Sequence, residues 1–207
     1  MKINMSAVAA TTIAGLSLTA APRADAAYTT YLYQDGANVV ATGAGSIDTI
    51  DLTATKGGFQ LVIGVIPAAG FLGLGDSTNT DQIYTGASGP TSLGAGVTTD
   101  ASTSSGEVVG VQGPVPAGQI FVPFDYVSGA SLGTSTDVWD STTLATMGLT
   151  DGVYTWTWGT GPDADSFTLD VGDAPPTSDV PEPTTLAILG TSLVGLALRR
   201  RRGTLVG

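Results

Sequence analysis

The side chains most able to do chemistry in this chain are carboxylates. Asp137 and Asp140, or Asp163 and Asp165, could flank a glycosidic bond if the fold set a pair about 5–10 Å apart. Asp76-Ser77-Thr78-Asn79-Thr80-Asp81 gathers oxygen ligands in one loop, and Ca²⁺ favours flexible shells of that kind. The spacing is not that of an EF-hand, so Asp76, Asn79 and Asp81 are weak Ca²⁺ candidates beside the simpler reading of a solvated turn. No other cofactor is indicated. Trp139, Trp156 and Trp158 offer a sugar-stacking platform, although aromatics on one strand face more often pack into a core.

Whole classes of chemistry are closed by composition. The 207-residue chain contains no His and no Cys, which removes Ser–His–Asp and Cys–His catalysis, thiol and His metal sites, and disulfides. Lys56-Gly57-Gly58 has the wrong order for a P-loop, and the Gly-rich stretches near Gly70–Gly75 and Gly94–Gly96 lack a strand-turn-helix setting. No catalytic residue is therefore assigned, and a noncatalytic protein is expected. Between Ala27 and Pro183 the only basic residue is Lys56, against 16 Asp and Glu up to Asp179 and then Glu182. Phosphate backbones need clustered Lys and Arg, so nucleic acid is a poor partner.

The elements that must position these residues read as short strands. Tyr28–Gln34, Asn38–Thr42, Ser46–Thr53, Phe59–Ile66, Gln82–Thr85, Glu107–Val111, Gln119–Val122, Gly152–Trp158 and Ser166–Val171 are β-capable runs between Gly, Ser, Thr, Asp and Pro clusters. Their length and spacing predict a mainly β domain, an antiparallel β-sandwich that is jelly-roll-like or Ig-like. In Gly152–Trp158 the alternation puts Tyr154, Trp156 and Trp158 on one face. Gly159–Asp163 then turns the chain into a hairpin partner. Asp140–Leu149 is the exception, predicted as a short helix capped by Asp140 or Ser141 and stopped at Gly148. Thr98–Gly106 reads as an exposed low-complexity loop.

Both ends have a different character. Lys2, the apolar stretch Met5–Ala21 and Ala24-Asp25-Ala26 make up an n-region, an h-region and an A-x-A site. Residues 1–26 are thus expected to be a signal peptide cut after Ala26, handled by the Sec translocon and signal peptidase. An exported domain follows over 27–173, with a Pro-rich linker at 174–179. Val180-Pro181-Glu182-Pro183 then precedes the uncharged run Thr184–Leu198, and Arg199-Arg200-Arg201-Arg202 closes it before a short end at 203–207. Fifteen helical residues rise roughly 22 Å, short of the about 30 Å hydrocarbon core. Local thinning and snorkelling arginines make up much of the deficit. A separate C-terminal transmembrane helix in the inner membrane is expected, with the arginines holding its end in the cytoplasm and the body outside.

Residues 180–202 resemble the PEP-CTERM sorting signal of exported bacterial proteins: the motif, the apolar helix and the arginines occur in that order. The resemblance implies recognition of Val180, Pro181, Glu182 and Pro183 by a membrane-embedded exosortase, a cysteine transpeptidase. Cleavage near the motif would release the body to the cell surface or extracellular matrix. Asp125–Gly129, Leu149–Gly159 and Asp165–Leu169 are similar to a module recurring in PEP-CTERM cargo, which implies no activity. The leading expectation is a noncatalytic structural or adhesive surface protein, as in a biofilm matrix. Alternatives are a carbohydrate-binding module for exopolysaccharide and a secreted Asp-dependent hydrolase.

Overall fold

A computed structural model describes residues 27–76, 78–114 and 117–176. The expected signal peptide with Ala24 and Ala26, the sorting motif, the C-terminal helix and the Arg199–Arg202 cluster all lie outside the described residues. Among those that are described, no helix is long and apolar enough to cross a membrane.

The described chain is β throughout, with two single 3₁₀ turns. Its strands are β1 (Ala27–Asp35), β2 (Asn38–Ser46), β3 (Thr53–Gln60), β4 (Gly64–Ile66), β5 (Phe71–Leu74), β6 (Thr80–Ala87), β7 (Thr99–Asp100), β8 (Thr103–Ser105), β9 (Val109–Gln112), β10 (Gly118–Pro123), β11 (Ser131–Trp139), β12 (Gly152–Trp158) and β13 (Asp165–Val171). They form a sheet of order β12-β13-β1-β2-β11-β8 and a second of order β3-β6-β10-β9-β5-β4-β7. Every pairing is antiparallel except one: β1 runs parallel to β13, Ala27 beside Ser166 and Leu32 beside Val171. The expected hairpin is β12–β13, with Trp156 opposite Phe167.

Alternation explains the first sheet. Tyr28, Thr30 and Leu32 of β1 are buried, as are Phe167, Leu169 and Val171 of β13, and the residues between them face outward. Trp156 and the stacked Tyr28 ring both pack on Phe167, at centroid distances of 6.0 and 5.3 Å. Gly36, at φ 59°, takes the first place of the two-residue turn between β1 and β2, a conformation glycine adopts without strain.

The second sheet crosses the first. In the first sheet β11 and β12 lie four strand spacings apart, about 19 Å at roughly 4.8 Å each. The segment 107–113 reaches from one to the other. The Glu107 carbonyl accepts the Ser135 hydroxyl of β11 at 2.7 Å. Gly113 lies against the Pro90 carbonyl, which accepts the Trp156 indole of β12. Six residue steps at about 3.3 Å give about 20 Å. The strands of β9 and its neighbours therefore run across those of the first sheet, as in orthogonal sandwiches. Between the sheets lies one core, including Tyr28, Leu72, Leu74, Val109, Ile120, Trp139 and Trp156. A smaller cluster of Leu61, Ile63, Phe71, Val108 and Phe121 forms separately.

Three sequence expectations are corrected. Ser46–Thr53 is not a strand: β2 ends at Ser46 and β3 starts at Thr53, because side chains take the intervening backbone donors. Asp140–Leu149 is not a helix. Asp140 and Ser141 give their N–H groups to Ser102 and to Asn38, and Ser141 sits at φ 51°. The turn starts only at Thr143, whose hydroxyl accepts the Thr146 N–H, and it ends at Gly148 in the left-handed region. Thr98–Gly106 is not a free loop, since β7 pairs with β4 and β8 with β11.

Gly75 marks where the sheets meet. Its φ is 94°, and a Cβ there would strike the Glu107 carbonyl. Gly75→Ala is expected to cost about 3 kcal/mol or more, combining backbone strain with a clash that neither strand can relieve. Gly58→Ala, at φ 81° with open space around it, should cost only the strain, about 1 kcal/mol. Urea denaturation of both variants checks the contrast.

Candidate functional site

The most constrained polar site is a hub at the end of the first sheet where β2, β12 and the 124–130 loop meet. Four consecutive backbone N–H groups there are taken by side chains. Ile47 donates to the Tyr126 hydroxyl at 2.9 Å, Asp48 to Asp165 Oδ2 at 2.6 Å, Thr49 to Ser128 Oγ at 2.9 Å and Ile50 to Asp48 Oδ1 at 3.0 Å. Ser128 also donates to Asp48 Oδ1, and the Trp158 indole donates to the Asp48 carbonyl at 2.7 Å. The Tyr126 hydroxyl faces the carbonyls of Ile47 and Ala130 at 3.0 and 2.6 Å.

Asp48 and Asp165 are both buried. Burial pushes the Asp165 carboxyl up to about 6; the N–H groups of Asp48 and Ser166 oppose this and the charge of Asp48 adds to it. This pair was not legible in the sequence, because its members stand 117 positions apart. Chemically the hub is a brace. Its carboxylate oxygens receive backbone and hydroxyl donors, which tie the 47–50 segment to β13 and to the 124–130 loop.

Within each expected acid pair the two carboxyls stand in different surroundings. Asp137 is fully buried while Asp140 is exposed. Asp163 sits half-buried in a 3₁₀ turn, and Asp165 belongs to the hub. Asp137 Oδ1 accepts the Gly75 N–H at 3.2 Å, and desolvation raises its carboxyl to about 7 against the pull of the Gly75 and Ser105 backbone bonds.

The tryptophans are corrected as sugar contacts. Trp139, Trp156 and Trp158 are all buried in the common core, and each indole N–H reaches a backbone carbonyl: Thr99 of β7, and Pro90 and Asp48 in loops. No ring face remains for an external ligand to stack on.

The Ca²⁺ candidates are also placed. Asp76 Oδ1 accepts both the N–H and the hydroxyl of Thr78 at 2.8 Å, bonds that hold its carboxyl below the usual range. Asn79 is exposed and Asp81 is buried at the start of β6. Burial raises the Asp81 carboxyl. Among the described residues no three His, Cys, Asp or Glu side chains gather as a metal site.

Beside the hub runs a surface groove. A cavity of about 370 Å³ is lined by Glu107, Asp125, Tyr126, Val127 and Leu132, among others. A second of about 260 Å³, reaching to Asn79 and Phe124, shares Glu107, Pro123 and Asp125 with it. Phe124 and Val127 are exposed. The groove thus offers carboxylates set in apolar walls, a chemistry suited to polar or cationic ligands and not to polyanions.

Residues 179–202 match the PEP-CTERM protein-sorting motif. The match covers the tail alone and supports a PEP-CTERM protein; the motif implies an exosortase-sorted extracellular protein, processed at the membrane on its way to the cell surface. No curated protein and no solved structure matches the chain.

Two outcomes follow from the hub and from Asp137. Removing one hydroxyl by Tyr126→Phe should cost about 1–3 kcal/mol, since it orphans the Ile47 donor, and thermal melts report it. The raised carboxyls set a pH dependence of a definite sign. The folded domain takes up protons at Asp137 and Asp165 from about pH 7 to 6, whereas the unfolded chain does so only near its ordinary value of 3.8. Stability should therefore rise as pH falls from 8 toward 5, and fall as pH rises through these values. Asp137→Asn should flatten the upper part of that profile.

Proposed function

We propose that the exported domain is a noncatalytic structural or adhesive module of the cell surface or extracellular matrix. One observation carries this reading: the residues with most chemical potential are committed to holding loops on the sandwich. The three indoles bind backbone carbonyls of β7 and of two loops, and Asp48 and Asp165 bind loop N–H groups. The anionic body supports it too, since 17 acidic side chains against Lys56 keep copies soluble and apart.

A carbohydrate-binding role toward exopolysaccharide is the second reading, and the groove favours it. There Phe124 is exposed beside the carboxylates of Glu107 and Asp125. In this reading the groove takes the part first assigned to the tryptophans. Processing is proposed to follow the order motif, helix, arginines: Pro181, Glu182 and Pro183 are recognised, and Arg199–Arg202 hold the end in the cytoplasm until cleavage.

In cells lacking the exosortase, the full-length protein should stay in the membrane fraction; in cells with it, a shorter form should reach the cell surface. Equal size and location in both strains would reduce the tail to a plain anchor. Deleting the protein should weaken cell cohesion or matrix retention, measured by sedimentation of intact cells. Unchanged cohesion would count against an adhesive role.

A further inference from the structure

The centre of the first sheet carries a cluster of buried polar groups inside an otherwise apolar core. On β2 two of the inward residues are small, Ala41 and Gly43, and Gly43 stands between Thr30 of β1 and Ser135 of β11. The position of a Cβ on Gly43 would be 2.8 Å from Thr30 Oγ1 and 2.9 Å from the Tyr28 hydroxyl. Both hydroxyls therefore converge over this glycine. Asp137 follows Ser135 on the same face, one row along and level with Ala41.

Tyr28, Thr30 and Asp137 are fully buried, and the Tyr28 hydroxyl, Thr30 Oγ1 and Asp137 Oδ2 have no protein partner. Ser135 lies near enough to favour the ionised tyrosine, yet its own proton goes to the Glu107 carbonyl. Three orphaned polar groups in one core would cost several kcal/mol without a partner. The cation nearest in kind, Lys56, sits on β3 at the edge of the other sheet and cannot answer the carboxylate.

We infer that this cluster is a water-binding site. Internal water there accepts protons from the Tyr28 and Thr30 hydroxyls and donates to Asp137 Oδ2, with Ser135 Oγ as a further acceptor. Two donors and two acceptors are the complement of one water's hydrogen-bonding capacity.

Other titratable groups do not compete for this role. Tyr28 on β1 is the tyrosine that faces Asp137, and its hydroxyl is pushed up to about 12 by burial, with the Asp137 charge adding to that. The Glu107 side chain lines the surface groove. From the residue just after β5 the contact is the Gly75 backbone, and from β8 the Ser105 backbone.

The near-isosteric variants Thr30→Val and Tyr28→Phe separate a hydrated cluster from a dry one. If water fills it, each hydroxyl removed breaks a satisfied bond and should lower Tm by several degrees. Oxygen-17 relaxation dispersion on the full chain in detergent should show a long-lived internal water that the variants lose. If the groups are truly unpartnered, the variants should melt at or above the parent temperature, and that result overturns the inference. So does absence of a long-lived water in the parent protein. Melts in sodium, calcium and choline chlorides at equal ionic strength test the remaining occupant. A cation-specific gain in Tm that Asp137→Asn abolishes would assign the site to an ion and not to water.

Discussion

Everything at the busy end of the sandwich rests on one requirement: the N–H groups of Ile47, Asp48, Thr49 and Ile50 must find acceptors. A strand would have met it with a ladder. Here acceptors come from Tyr126, Asp165, Ser128 and Asp48 itself, on segments up to 117 residues away. The same bonds explain why a carboxylate is tolerated in a buried place, where desolvation raises its affinity for a proton against their pull. They also explain why Trp158 turns its indole inward, since the Asp48 carbonyl released from any ladder is its partner at 2.7 Å. The hub completes only when β2, β12, β13 and the 124–130 loop are all in place, so it reports on the finished sandwich.

Where a strand alternates apolar with polar residues, the sequence made it legible. Tyr28–Gln34, Gly152–Trp158 and Ser166–Val171 match β1, β12 and β13 within a residue or two. Ser131–Trp139 escaped notice because its inward side chains include Ser135 and Asp137, which in sequence look like a turn. Ser46–Thr53 misled in the opposite sense: Ile47 and Leu52 are buried and β-capable, but tertiary acceptors outbid the ladder. The parallel β1–β13 pair could not be read, since nothing local records which distant strand lies alongside. For the site, residue types were visible and partnerships were not. Asp165 was noticed for its neighbour Asp163 in sequence, while its partner in space is Asp48.

The edges of the second sheet carry features that disfavour strand addition between copies. β3 is an edge strand, exposed along nearly its whole length, and its pairing with β6 shifts register twice, between Ala54 and Lys56 and between Gly57 and Phe59. Lys56 stands at the first shift. Bulges and an edge lysine both disfavour strand addition. The opposite edge is β7, only Thr99–Asp100 long. On β12 the Thr157 backbone is already paired with Ser88.

Strand direction relates the hub to the tail. β13 runs from Asp165 in the hub to Val171, six steps or about 20 Å at roughly 3.3 Å each. Gly172 is still bonded to Leu32, and the described chain then leaves through Pro175 and Pro176. β1 starts at Ala27 beside Ser166, so the chain enters the domain at the hub end and departs from the other. The loops of the hub, with Tyr126 forming one wall of the groove, are therefore displaced along the first sheet from the point where the sorting tail attaches. A surface protein held through that tail keeps the hydrogen-bonded loops of its hub, and its exposed Val127, at the end away from its attachment. The bonds that fix those loops are internal, which frees the outer side chains to vary without disturbing the fold.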